Sequence, residues 1–235
     1  MRLGSLAVTQ AVLLASAILP LSIGRAQAPS RTLDEGIFLI SKSGTPIGRE
    51  SFRISRSTVA SPEAFRATAQ VALGERRIVP TLVCDSTGAP ISYDVAVQGG
   101  GDPGAQLRAR ARPGRFTSML RTKEGESARE YVVPTGVIVL DEDVIHQLYF
   151  VTLGGRRSGS VTLLAPRTGV QAVASLQDLG SSNLDFSGKL IPATHFALSS
   201  ASFPRREFWI DSAGRILRAS IPERGILAQR DEPPR

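Results

Sequence analysis

Apolar and polar residues alternate in segment after segment of this chain, and that period of two restricts the fold more than any other feature. In the run 48–56, Phe52 and Ile54 point to one side while arginine and serine side chains point to the other. The runs 65–71 and 107–112 repeat the pattern. One apolar and one polar face are typical of antiparallel strands that are solvated on one side. The sequence therefore predicts a mostly β protein.

Turn residues separate the alternating runs. The loop Asp211–Gly214, between the runs 206–210 and 215–221, predicts a hairpin. Pro80 lacks a backbone N–H, so its run is predicted to be an edge strand or to carry a bulge. Later strands are predicted at 170–176, 184–190 and 195–198.

One segment lacks the alternating pattern of the predicted strands. Asp141, Glu142 and Asp143 precede an apolar stretch that ends at Gly154. Acidic residues at the start and glycine after the last apolar residue are helix boundary signals. We expect one short helix at about 142–153, capped by Asp141, with its apolar face against the sheet.

Arginines recur on the polar side of the predicted strands. They form either a surface for polyanions or the solvated outer face of a sheet, with Glu50, Asp94 and Glu130 as partners. We favour the solvated face, because stripes of this kind usually face water. The arginines are Arg53, Arg66, Arg108, Arg110, Arg115 and Arg121.

Three stretches together resemble a known group of proteins. They are the opening hairpin 36–52, the segment 137–153, and the ending 207–230. The chain resembles uncharacterised exported bacterial proteins, known only as domains of unknown function. The resemblance implies a strongly curved antiparallel sheet, a half-open barrel, distantly similar in shape to the periplasmic lipoprotein carriers. The resemblance implies no catalytic residue in this chain.

The N-terminus predicts export. A positive start, an apolar stretch and small residues at Gly24, Ala26 and Ala28 are typical of a signal peptide, here residues 1–28. Polar residues within the stretch disfavour the alternative, an uncleaved membrane anchor. Residues 29–235 are predicted to form one β-rich domain with a frayed C-terminal tail, located in the periplasm or outside the cell.

Cysteine content and net charge limit the kinds of partner that the protein is expected to bind. Cys84 is the sole cysteine, so no internal disulfide can form. The net charge of +7 comes without a dense basic run, so we expect no nucleic acid as partner and at most a peripheral contact with anionic lipid.

We find no catalytic signature. The chain has two histidines, His146 and His195, and no nucleophile elbow. Glu142 and His146 stand four residues apart, but helix capping explains the acids without a metal. We therefore expect neither an enzyme, nor a metal site, nor a cofactor.

Two functions remain open. The first is a binding module that holds a hydrophobic or lipid-like molecule on the concave face of the sheet. Its inward-facing side chains would be Phe52, Ile54, Phe65, Leu107, Phe116, Leu120, Tyr131 and Leu148. The alternative is a structural or assembly protein that docks a partner at a sheet edge or at the C-terminal hairpin.

The predicted export is tested by the N-terminus of the mature protein. We expect mass spectrometry of envelope protein to find cleavage after Ala26 or Ala28; the second site places Pro29 directly after the cut, which disfavours it. Aspartate at Leu13 and Leu14 should abolish export, because it breaks the apolar stretch. An intact N-terminus on membrane-bound protein would establish the anchor instead.

Overall fold

The computed structural model describes residues 30–57, 64–100 and 102–234; the predicted signal peptide lies outside these residues. Within them, every strand belongs to one sheet, in the order β8-β7-β6-β5-β4-β3-β2-β1-β15-β14-β13-β12-β11-β10-β9. The strands are β1 (Ser30–Lys42), β2 (Thr45–Ser57), β3 (Ala64–Leu73), β4 (Arg76–Asp85), β5 (Pro90–Gly99), β6 (Asp102–Arg112), β7 (Arg115–Thr122), β8 (Gly125–Val132), β9 (Ile138–Val139), β10 (Gly159–Ala165), β11 (Val170–Phe186), β12 (Lys189–Ser199), β13 (Arg206–Ile210), β14 (Ile216–Ile221) and β15 (Ile226–Arg230).

The sheet is strongly curved but does not close. Its two edges are β8 and β9, and neighbouring strands are antiparallel except for β9 and β10, which are parallel. Bulges, such as the one between Thr32 and Asp34, interrupt the pairing and help the strands to bend. Across the opening, the Gln171 side chain donates to the Val132 carbonyl oxygen at 2.9 Å. The predicted half-open barrel is thereby confirmed.

The predicted division of the region 170–198 is wrong. β11 is one long strand, and the turn to β12 lies at Ser187 and Gly188, inside the strand predicted at 184–190. Both turn residues have positive φ, 54° and 87°, which suits the tight turns that join twisted strands. Leu184 and Phe186 pack with Ala193 and Leu217 in a small second cluster.

Pro80 does not mark an edge strand. β4 lies between β3 and β5, and Pro80 is paired with Val95 of β5. On its other side the β3–β4 pairing stops after Thr81 and resumes at Ile78. The missing N–H of proline is therefore accommodated by a local break in one ladder.

Residues 137–155, which we call the internal segment, begin with the short edge strand β9 and then pack against the concave face of the sheet. Its helical part is limited to two 3₁₀ turns, His146–Phe150 and Leu153–Gly155, and is shorter than predicted. The residue before the first turn is Ile145, and no side chain caps it. Asp143 has a φ of 62°, which ends any regular helix there. The acidic residues bind arginines instead, as described below.

Aromatic contacts hold the internal segment in place. The Phe65 ring lies 5.9 Å from that of Phe150 and 6.5 Å from that of Tyr149, both in edge-to-face geometry. All eight side chains predicted to face inward meet in this core, with Leu120 only partly buried. The buried members are Phe52, Ile54, Phe65, Leu107, Phe116, Tyr131 and Leu148.

Packing against the internal segment should dominate stability. Phe65→Ala removes a ring that is 4% exposed, and we expect a loss of about 3–5 kcal/mol in the free energy of unfolding by urea. Val79→Ala, on the solvated face and 48% exposed, is the matched control and should change it by less than about 0.5 kcal/mol. Equal losses would mean that the internal segment contributes little to the core.

Candidate functional site

Glu50 on β2 binds the internal segment through hydrogen bonds on the concave side of the sheet. Its carboxyl group accepts hydrogen bonds from the backbone N–H groups of Ile145 at 2.6 Å and His146 at 2.9 Å. His146 Nδ1 lies 2.6 Å from the same group, and the His146 ring stacks on Phe52 at 5.8 Å. The side chains of Glu50 and His146 are 0% exposed. Glu50 thus satisfies three buried polar groups at the start of the 3₁₀ turn.

The prediction that Glu50 pairs with arginines on the outer face is wrong. Because side chains alternate along a strand, Glu50 shares its side with Phe52 and Ile54, and all three are buried. The outer face otherwise follows the expectation: Arg110 pairs with Asp94 at 2.8 Å, and Arg115 pairs with Glu130. These exposed pairs contribute little to stability.

Three arginines bind the carboxylates of the acidic turn, Asp141–Asp143, and Arg167 lies near two of these carboxylates, because its Nη2 is also 3.6 Å from Asp143 Oδ2. Asp141 Oδ2 accepts from Arg167 at 3.1 Å, and Asp143 Oδ2 accepts from Arg76 at 2.9 Å. Glu142 Oε2 lies 3.3 Å from Arg224.

Asp141 is the most enclosed of the three acids. Its Oδ2 also accepts from the Tyr93 hydroxyl at 2.7 Å, and its own N–H donates to Gln147 Oε1 at 2.7 Å. Burial raises the pKa of Asp141 above its usual range, against the opposing effects of Arg167 and Tyr93. These contacts explain why the turn does not cap a helix, because its carboxylates bind arginine side chains from other parts of the chain.

A fourth arginine at this turn has no acidic partner. Arg206 is 2% exposed, and its Nη2 lies 3.4 Å from the carbonyl oxygen of Asp141. Its Nε and Nη1 atoms are buried and bond to nothing in the described part of the chain. Burial lowers the pKa of Arg206 to about 10, so the side chain remains charged at neutral pH.

A cleft opens at the rim of the half-barrel, beside the acidic turn. Its volume is about 430 Å³, within the range of small-molecule sites. We call it the rim cleft; its apolar lining comes from the β1–β2 hairpin, the end of β3, the internal segment and the β14–β15 hairpin. The lining residues are Ile40, Lys42, Ile47, Leu73, Asp143, Ile145, Ile221, Glu223, Arg224 and Ile226.

None of the eight predicted ligand-contacting residues lines the rim cleft. They lie in the core, where the internal segment occupies the space beside Phe52 and Phe65. The cleft residues went unrecognised because they lie at strand ends, where the alternating pattern stops. Ile47 and Leu73, which flank turns on neighbouring hairpins, were the available signal.

The two histidines occupy different environments, since His146 is buried in the core and the His195 side chain is partly exposed. His146 is 1% exposed in the core. His195 stacks on Trp209 at 4.2 Å, and its Nε2 lies 3.1 Å from Glu207. Within the residues that the structure describes, no three metal-binding side chains converge. The helical turns of this part of the chain have neither the length nor the continuous apolar sequence of a membrane-spanning helix.

The fold and the cleft define a class: a barrel-like protein with one curved, open antiparallel sheet around an internal segment. A comparison with solved structures finds this fold in the crystal structure of a β-barrel-like protein of a domain of unknown function, DUF1849, from Brucella abortus. The TM-score is 0.51 at 12% identity, covering 83% of this chain and 94% of that one. No family model and no curated protein matches the chain. The predicted resemblance is therefore confirmed for the fold.

Removing Glu50 should loosen the internal segment. Glu50→Ala leaves two buried backbone N–H groups without an acceptor and His146 Nδ1 without its partner, and we expect a loss of at least about 3 kcal/mol in urea unfolding. Glu35→Ala breaks an exposed pair with Arg53 and serves as the control, with a change below about 0.5 kcal/mol. Hydrogen exchange should localise the effect to residues 137–155; a uniform loss of protection would contradict the assignment.

Proposed function

We propose that this protein is an exported envelope protein that binds a hydrophobic or lipid-like molecule in the rim cleft. The observation that carries the proposal is the cleft itself: six of its lining side chains are isoleucine or leucine, and charged groups lie beside them. A mostly apolar, concave surface with a few polar groups is the usual character of a small-molecule site.

The packing of the core supports the rim rather than the deep interior as the site. The aromatic side chains of the concave face are engaged with His146, Tyr149 and Phe150. A ligand there would have to displace the internal segment together with its bonds to Glu50. The rim cleft needs no such displacement, because its volume lies outside this packed layer.

The alternative function is a protein that docks a partner at a sheet edge. Strand β8 supports it, because β8 is an edge strand of the sheet. β8 pairs only with β7 among the described strands, and all its side chains but Tyr131 are exposed. Charged residues such as Glu126 and Arg129 lie along it, as on edges that resist pairing. The rim cleft is therefore the better supported site.

Binding is tested in two steps. Native mass spectrometry of the protein purified from the envelope should show a bound lipid-like molecule, and the stripped protein should take up a fluorescent fatty acid. Ile47→Trp should weaken uptake at least about 10-fold, because the larger ring fills the cleft.

Val79→Trp, on the outer face, is the matched control and should leave uptake unchanged. Absence of both a co-purified molecule and probe uptake would refute the proposal. Equal uptake by the two variants would place the ligand elsewhere.

A further inference from the structure

Arg206 is the buried charged group whose surroundings are least complete. Burying a guanidinium is costly unless acceptors replace the lost water. Only Nη2 of Arg206 has an acceptor among the described residues, and that contact, to the Asp141 carbonyl, is long at 3.4 Å. Two buried donor atoms, Nε and Nη1, remain unsatisfied. A group that supplies oxygen acceptors would complete this site.

The charges around Arg206 favour an anion as that group. The three acids of the acidic turn already pair with three arginines, of which Arg167 contacts two of the acids; the arginines are Arg167, Arg224 and Arg76. Arg206 is therefore a positive charge in excess. Protonation of Asp141 would only enlarge the excess.

Two further charges lie on the cleft wall, and they balance. Lys42 is exposed and has no ion pair with any described residue, while Glu223 accepts from the Arg205 N–H at 3.4 Å. Because Lys42 and Glu223 carry opposite charges, they leave the charge of Arg206 uncompensated.

Backbone geometry places Arg206 next to the rim cleft. Glu207 pairs with Ser220, so the antiparallel register brings Arg206 opposite Ile221, which lines the cleft. The neighbouring Arg205 N–H bonds to Glu223, another lining residue. The carbonyl that Arg206 contacts lies two residues before Asp143 on the cleft wall. Arg206 does not itself line the cleft but lies directly behind the lining residue Ile221.

We propose that the ligand of the rim cleft is a singly charged anionic amphiphile, an acyl chain with a carboxylate head, and that Arg206 binds the head group. This inference rests on the proposed function and adds the chemical class of the ligand. A carboxylate oxygen can accept a charge-assisted hydrogen bond from Nε or Nη1 of Arg206, whereas a neutral head would leave the excess charge in place. The acyl chain would lie along the isoleucine side chains.

Calorimetric titration of the full mature chain with dodecanoate and with dodecan-1-ol tests the assignment. The two probes share one chain and differ in the head. We expect the wild type to bind dodecanoate more tightly. Arg206→Met should weaken dodecanoate binding about 10- to 100-fold and leave dodecan-1-ol binding unchanged. Arg206→Lys should keep part of the preference, since it retains the charge.

Arg110→Met is the matched control, because it removes one positive charge at the exposed pair with Asp94. It should leave the binding of both probes unchanged. Urea unfolding of Arg206→Met separates the binding role from a structural one. We expect its midpoint to equal or exceed that of the wild type, because an unsatisfied buried charge is removed.

The outcomes are distinguishable. If the wild type binds both probes equally well, the carboxylate assignment fails while the proposed function stands, and this result does not depend on the folding of any variant. If neither probe binds, the proposed function fails as well. If Arg206→Met weakens both probes equally and lowers the unfolding midpoint, Arg206 is a structural residue and the inference is overturned.

Discussion

The bonds from Glu50 to the internal segment are the interaction on which the rest of the structure depends. A curved sheet with an apolar concave face must bury that face, and here residues 137–155 do so. A non-regular segment carries unpaired backbone N–H groups into the core, where each costs free energy if left unsatisfied. Glu50 accepts from two of them and adjoins the His146 ring. Local polar satisfaction thus allows a chain segment, rather than a helix, to fill the half-barrel.

Partners likewise satisfy the carboxylates of the acidic turn, whereas the neighbouring Arg206 has two buried donor atoms without an acceptor. Asp141, Glu142 and Asp143 bring three negative charges to the rim, and arginines from separate elements meet them. Buried charges persist in proteins when they are paired and hydrogen-bonded. Arg206 departs from that rule beside an apolar cleft. Departures of this kind are expected at functional or strained sites.

Particular residues show how far sequence reasoning reached. Alternation assigned Phe65 and Leu107 to the buried face, and both are buried. The same alternation placed Glu50 on that face, yet its charge suggested the outer one; position in the pleat outweighs residue type. The acids before His146 suggested helix capping, but the arginines that bind them come from distant strands. The sequence did not reveal the candidate site, because its lining residues come from separate elements and meet only in the tertiary structure.

The sequence by itself determined the strand pattern, the two faces of the sheet and the class of fold, because period-two alternation is a local property that each strand carries in full. Only the tertiary structure decided what fills the concave face, where the rim cleft opens and which buried arginine lies beside the acidic turn without an acidic partner. Those features depend on contacts between residues far apart in the chain, such as Arg206 and Asp141, and no local pattern encodes their meeting.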